Sequence, residues 1–125
     1  MEETTKVYID ASYSPQHKVG VAGIYIPSHN ILDIRDINGN GSTGCEMEGL
    51  ATFKPLIESL SVEKSVVIYT DCNKIMKHPE LWPYNSTAIK TIGHGKKGVV
   101  DPNFKIIDKA TRKHLRRLVA ILTFI

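Results

Sequence analysis

Three apolar-rich stretches in the first 37 residues, at 5–12, 18–27 and 30–37, are joined only by Ser14-Pro15-Gln16-His17 and Pro27-Ser28-His29-Asn30. Connections this short leave room only for antiparallel neighbours, so the N-terminal part of the chain must be a three-stranded meander. Ile31, Asp33 and Arg35 alternate with Leu32, Ile34 and Asp36, which makes the third strand half exposed and hence an edge. Gly20 and Gly23 inside the second strand imply a close backbone approach or a bulge. The pattern then changes. From about Cys45 to Leu60, Met47, Leu50, Ala51, Phe53, Leu56, Ile57 and Leu60 recur at helical spacing, with a kink or break expected near 51–55 because of Pro55. Residues 65–71 form a run apolar enough to be covered on both faces, as strands parallel to a neighbour are. A short helix at 72–77, ended by His78-Pro79, an irregular stretch at 80–85, a strand at 87–92 and a helix at about 104–120 complete the chain. The fold class is therefore α/β: a five-stranded mixed sheet in the order 3-2-1-4-5, three antiparallel strands then two parallel, flanked by helices.

A chain of 125 residues suits one domain spanning 1–125. No apolar run approaches the roughly 20 residues that cross a bilayer, so no membrane association is expected and the protein is placed inside the cell, in the cytoplasm. Cys45 and Cys72 fit neither a disulfide framework nor a zinc pattern and are read as reduced, buried thiols. The net charge is only +3, but Lys105, Lys109, Arg112, Lys113, Arg116 and Arg117 crowd onto the last helix, with Lys96 and Lys97 just before it. Such a cluster is either a solvated face or a surface for an anionic polymer. The apolar end, 120–125, is expected to pack on the core or on a partner, or to mark an end that was shortened.

The acids are what ask for chemistry. Asp10 interrupts the apolar run Val7-Tyr8-Ile9, and Asp71 ends the run Val66-Val67-Ile68-Tyr69-Thr70. Carboxylates in such places are costly unless paired or bound to a cation. On adjacent central strands the two would repel, and a divalent ion removes the repulsion. With Glu48 on the first helix and Asp108 on the last, one strand, a helix, a second strand and a late helix each bring a carboxylate to a shared point, which reads as a metal site. Asp36-Ile37-Asn38-Gly39-Asn40-Gly41 begins like an EF-hand loop, but the twelfth position is Met47, so a calcium sensor is set aside.

Tyr8-Ile9-Asp10-Ala11-Ser12, the Gly-rich strand 20–26, Glu46-Met47-Glu48-Gly49-Leu50-Ala51 opening a helix, Tyr69-Thr70-Asp71-Cys72, and Gly93-His94-Gly95 before Asp108 follow one another as in the ribonuclease H family, which the chain resembles over nearly its whole length. The resemblance implies a nuclease that cuts the RNA strand of RNA–DNA hybrids with two Mg²⁺ or Mn²⁺ ions, leaving 3′-hydroxyl and 5′-phosphate ends. It assigns Asp10 to bridge both ions, Glu48 and Asp71 to the ion near the leaving group, and Asp108 to the ion that carries the attacking water. Glu48 is preferred to Glu46, which points elsewhere on the helix, and Asp108 to Asp101, which precedes Pro102 in a loop. His94 is implied as a proton-handling or product-releasing loop residue. Contacts to 2′-hydroxyls are expected from Ser12, Thr43, Gly44 and Cys45, and phosphate contacts from Lys96, Lys97, Arg112, Lys113 and Arg116. The chain departs from the family at Ala11, where glycine is frequent, at Gly44-Cys45, where a polar amide pair is usual, and in having no basic handle helix between Asp71 and Thr87. Two other readings use the same residues: a nuclease of this fold for structured or single-stranded DNA, and a binding module without catalysis.

Overall fold

The computed structural model describes residues 4–91 and 101–124. Strands β1 (Thr5–Ser14), β2 (Val19–Ile26) and β3 (Ile31–Ile37) are followed by helix α1 (Gly41–Ser61), strand β4 (Val66–Thr70), helix α2 (Asn73–Lys77), strand β5 (Ser86–Lys90) and helix α3 (Pro102–Thr123). The sheet runs β3-β2-β1-β4-β5, with β1–β2 and β2–β3 antiparallel and β1–β4 and β4–β5 parallel. This is the mixed sheet that the meander and the doubly covered fourth strand require.

Alternation along β1 assigns its two faces. Val7 and Ile9 point with Ala22, Ile24 and Ile26 of β2 into a core closed by Leu50, Phe53 and Ile57 of α1. Tyr8 points to the opposite face, where it packs with Tyr69 of β4 and with Phe104 and Ile107 of α3. The Tyr8 and Tyr69 rings stack with centroids 4.7 Å apart. The Tyr8 hydroxyl donates to Asp101 Oδ2 at 2.8 Å, while Asp101 Oδ1 accepts from the Asn103 backbone N–H at 2.9 Å and so caps α3. Burial pushes the Tyr8 phenol up to about 12, with the Asp101 carboxylate adding to the shift, so it remains a donor across the neutral range.

The glycines of β2 set how closely the helices approach. A Cβ at Gly20 would lie 2.2 Å from Cys45 Sγ, and one at Gly49 of α1 would lie 2.6 Å from the Ala22 Cβ. Cys45 and Gly49, four residues apart, therefore seat the first turns of α1 directly on β2. Gly23 does the same on the other face, where a Cβ would meet Ile107 and Thr111 of α3.

Two expectations about α1 are corrected. The helix starts at Gly41, not Cys45, because the Cys45–Gly20 contact holds its first turns against the sheet despite the weak helix propensity of Gly, Ser and Thr. It also runs unbroken through Pro55. Pro55 and Ala51 are both exposed, so the carbonyl left without an amide partner lies on the solvent side of the helix. Towards the end of α3, Ile121, Leu122 and Phe124 are exposed. No helix among the described residues is long and apolar enough to cross a membrane.

Candidate metal centre

Parallel pairing of β1 and β4 brings their C-terminal ends to the same edge of the sheet. Tyr8 is level with Tyr69, so Asp10 and Asp71, each two residues further on, come to lie side by side. The seated N-terminal half of α1 adds a third carboxylate. Oxygen atoms of Asp10, Glu46 and Asp71 lie within 4.8 Å of one another, with Asp10 and Glu46 buried and Asp71 exposed. Asp108 of α3 lines the same cleft, which has a volume of about 510 Å³ and also takes in Ser42, Thr43, Asn73, Lys74 and Lys77.

The surrounding bonds orient the acids. Thr70 Oγ1 donates to Glu46 Oε2 at 3.2 Å and accepts from the Cys72 N–H at 3.1 Å, which ties the glutamate to the end of β4. Thr111 Oγ1 is 3.3 Å from Asp10 Oδ2 and 3.0 Å from the Asp108 carbonyl oxygen, so α3 supports Asp10 from the opposite face. Asp108 is paired with Arg112 one helical turn later. Burial raises the Asp10 carboxyl above its ordinary range, and Asp71 and Asp108 beside it push the same way. Burial likewise raises Glu46, with Asp71 and Asp10 adding to it. Three clustered carboxylates, two of them buried, make a site that a divalent cation would relieve, and an all-oxygen donor set suits a hard ion.

The structure corrects the glutamate assignment. Glu46 is 5 % exposed and belongs to the cluster, whereas Glu48 is an exposed residue outside it. Residues two apart on a helix are turned by about 200°, and the face that meets the sheet carries Glu46, Leu50, Phe53 and Ile57. Glu46 sits four, seven and eleven residues before those apolar positions. That phase was available in the sequence: the acid on the core-facing stripe is the one that reaches the cluster, and Glu48 lies on the opposite side.

Of the other candidates, Asp10 and Asp71 meet as expected and Asp108 joins them in the cleft. Asp101 is the cap of α3. Thr43 is on the cleft rim, while Ser12 and Gly44 are half-buried. Cys45 is corrected: its side chain is fully buried against Gly20 and offers nothing to a ligand. Arg112, Lys113 and Arg116 are exposed on α3, but none of them lines the cleft. His94, Lys96 and Lys97 lie outside the described residues. Besides Glu46, the sequence reading missed Lys74 and Lys77, whose five-residue helix is too short to show a periodic face.

No protein-family model matches the chain, and no curated protein matches its sequence.

Proposed function

We propose that this protein is a metal-dependent nuclease of the ribonuclease H type that hydrolyses the RNA strand of RNA–DNA hybrids. The observation that carries the reading is the meeting of Asp10, Glu46 and Asp71, from β1, α1 and β4, in a cleft that Asp108 enters from α3. The sheet order and the sequence order of the acids support it. Glu46 here takes the role that the family resemblance first suggested for Glu48.

By the family resemblance, Asp10 would be shared by two Mg²⁺ or Mn²⁺ ions, with Glu46 and Asp71 holding one and Asp108 the other. Bound there, such a pair would supply an activated water and neutralise charge on the leaving oxygen. Thr70 and Thr111 keep the Glu46 and Asp10 carboxylates oriented. Asp71, the exposed member, is open to a phosphodiester entering the cleft. Water attacks phosphorus and the bond to the 3′-oxygen breaks, giving 3′-hydroxyl and 5′-phosphate ends.

The test is incubation of the purified protein with matched RNA–DNA, RNA–RNA and DNA–DNA duplexes in Mg²⁺, Mn²⁺ or EDTA. Hybrid-selective, metal-dependent cutting that is lost in Asp71→Asn is expected. A second reading keeps the centre but takes structured or single-stranded DNA. It is favoured by one feature: between Asp71 and β5 there are only the five-residue helix α2 and a single 3-10 turn at Pro79–Leu81, and no long basic helix to embrace a duplex. Cutting confined to branched or single-stranded DNA would select it, and binding without cutting would leave a non-catalytic module.

A further inference from the structure

We propose that Lys74 and Lys77 of α2 grip the phosphates beside the cleaved bond, so that α2 and not the basic face of α3 is the part of the protein that holds the substrate strand. The inference rests on the nuclease reading for its substrate, and on the following geometry for the site. Among the described residues, Lys74 and Lys77 are the cations that line the cleft containing Asp10, Glu46, Asp71 and Asp108. They lie three residues apart, on one face of α2, and both are exposed. Neither forms an ion pair with a described residue, whereas Arg112 of α3 is already paired with Asp108. An anion entering the cleft therefore meets two ammonium groups that no described residue pairs.

The mounting of α2 is firm enough for this task. It begins directly after Asp71, with Cys72 as its N-terminal flank. Ile75, between the two lysines, is fully buried in the α1-side core. The Trp82 indole N–H donates to the Ile75 carbonyl at 2.8 Å, locking the helix from the far side. Lys90 of β5 binds Asn73 Oδ1, which brings a third positive charge to the start of the helix. The backbone that carries the lysines is thus held at a fixed offset from Asp71, and both side chains line the cleft in which the acids would take one phosphate of the strand. A flexible ammonium acts as a point charge on such a backbone and reads no base, so the contact is indifferent to sequence.

The experiment compares wild type, Lys74→Ala/Lys77→Ala and Lys113→Ala/Arg116→Ala, measuring kcat/KM on an RNA–DNA hybrid in Mg²⁺ as KCl is raised fourfold. Each phosphate contact contributes about 0.7–0.9 to the slope of log affinity against log salt. The α2 double variant should therefore lose a slope of about 1.6, making its fall in kcat/KM over that range about tenfold smaller than that of wild type. The α3 double variant should keep most of the wild-type slope. An unchanged slope in the α2 variant, or a larger loss in the α3 variant, overturns the proposal. Single neutral methylphosphonates beside the cut locate the contact: wild type should be sensitive at a phosphate where the α2 variant is not, and identical profiles count against it. Thermal stabilisation by Mg²⁺ should survive in the α2 variant, which establishes that the acids remain assembled. Should wild type cut no substrate, the nuclease reading fails by itself, and the salt slope of hybrid binding in EDTA still decides the role of the lysines.

Discussion

Glu46→Gln and Glu48→Gln together discriminate the metal centre from its nearest rival in sequence. Glu46 is buried within 4.8 Å of the Asp10 and Asp71 oxygens. Two unit charges at that distance repel by about 3 kcal/mol at an effective dielectric constant near 20. Part of that repulsion is already relieved by proton uptake, since Glu46 and Asp10 are both raised by burial and by their acidic neighbours. Glutamine keeps the shape and still presents an oxygen to Thr70 Oγ1. The metal-free Glu46→Gln protein should therefore be more stable than wild type by about 1–2 kcal/mol, or roughly 4–10 °C in Tm for a chain of this size. Wild type should gain Tm in millimolar Mg²⁺ through preferential binding to the native state, and Glu46→Gln should lose most of that gain. Glu48→Gln, a change at an exposed position, should stay within about 0.5 kcal/mol of wild type and keep the Mg²⁺ response. Differential scanning fluorimetry with EDTA or Mg²⁺ reads both effects. If Glu48→Gln abolished the Mg²⁺ shift while Glu46→Gln retained it, the helix-phase argument would be refuted.

Metal-free stability should also depend on pH in an unusual direction. The folded pKa values of Asp10 and Glu46 are raised, so the native state holds more protons than the unfolded chain above the ordinary carboxylate range. Stability then falls as pH rises from there toward neutrality, by about 1.4 kcal/mol per unit for each extra proton held, and Asp10→Asn should flatten the dependence in urea titrations in EDTA. Gly20→Ala drives a methyl group into Cys45 and should cost about 1–3 kcal/mol by chemical denaturation. Adding Cys45→Ala should recover part of that cost, and strict additivity would count against the seating contact. Tyr8→Phe leaves Asp101 without its phenol donor and should cost about 1 kcal/mol while leaving the Mg²⁺-induced Tm shift intact.

The strand order was legible because turn length and two-faced apolarity each have one physical meaning: Pro27–His29 is too short a connection for a crossover, and Val66–Thr70 is too apolar for an exposed face. Asp10 and Asp71 were legible for the same reason, as charges placed where burial would otherwise exclude them. Glu46 was passed over because two glutamates flanking Met47 were judged by the local direction of the helix, when the apolar positions Leu50, Phe53 and Ile57 already fixed its rotation. The start of α1 was obscured by propensity. Ser42-Thr43-Gly44 reads as loop until Cys45 is placed on Gly20, a contact between residues 25 apart that no local pattern reports. The cleft lysines escaped notice because α2 takes its position from Ile75 and Trp82, not from any periodicity of its own.

The cleft draws its acids from β1, α1, β4 and α3, with Asp10 and Asp108 nearly a hundred residues apart in the chain. A ribosome releasing this chain from the N-terminus delivers the meander and α1 first, then β4, and α3 last. Until α3 arrives, Asp10 has neither Thr111 nor Asp108 beside it, and the face of β1 that carries Tyr8 lies open. Docking of α3 on β1 is thus what completes the cleft: the Asp10, Glu46 and Asp71 cluster gains its fourth acid and the Thr111 support of Asp10 only when the far part of the chain returns to the first strand.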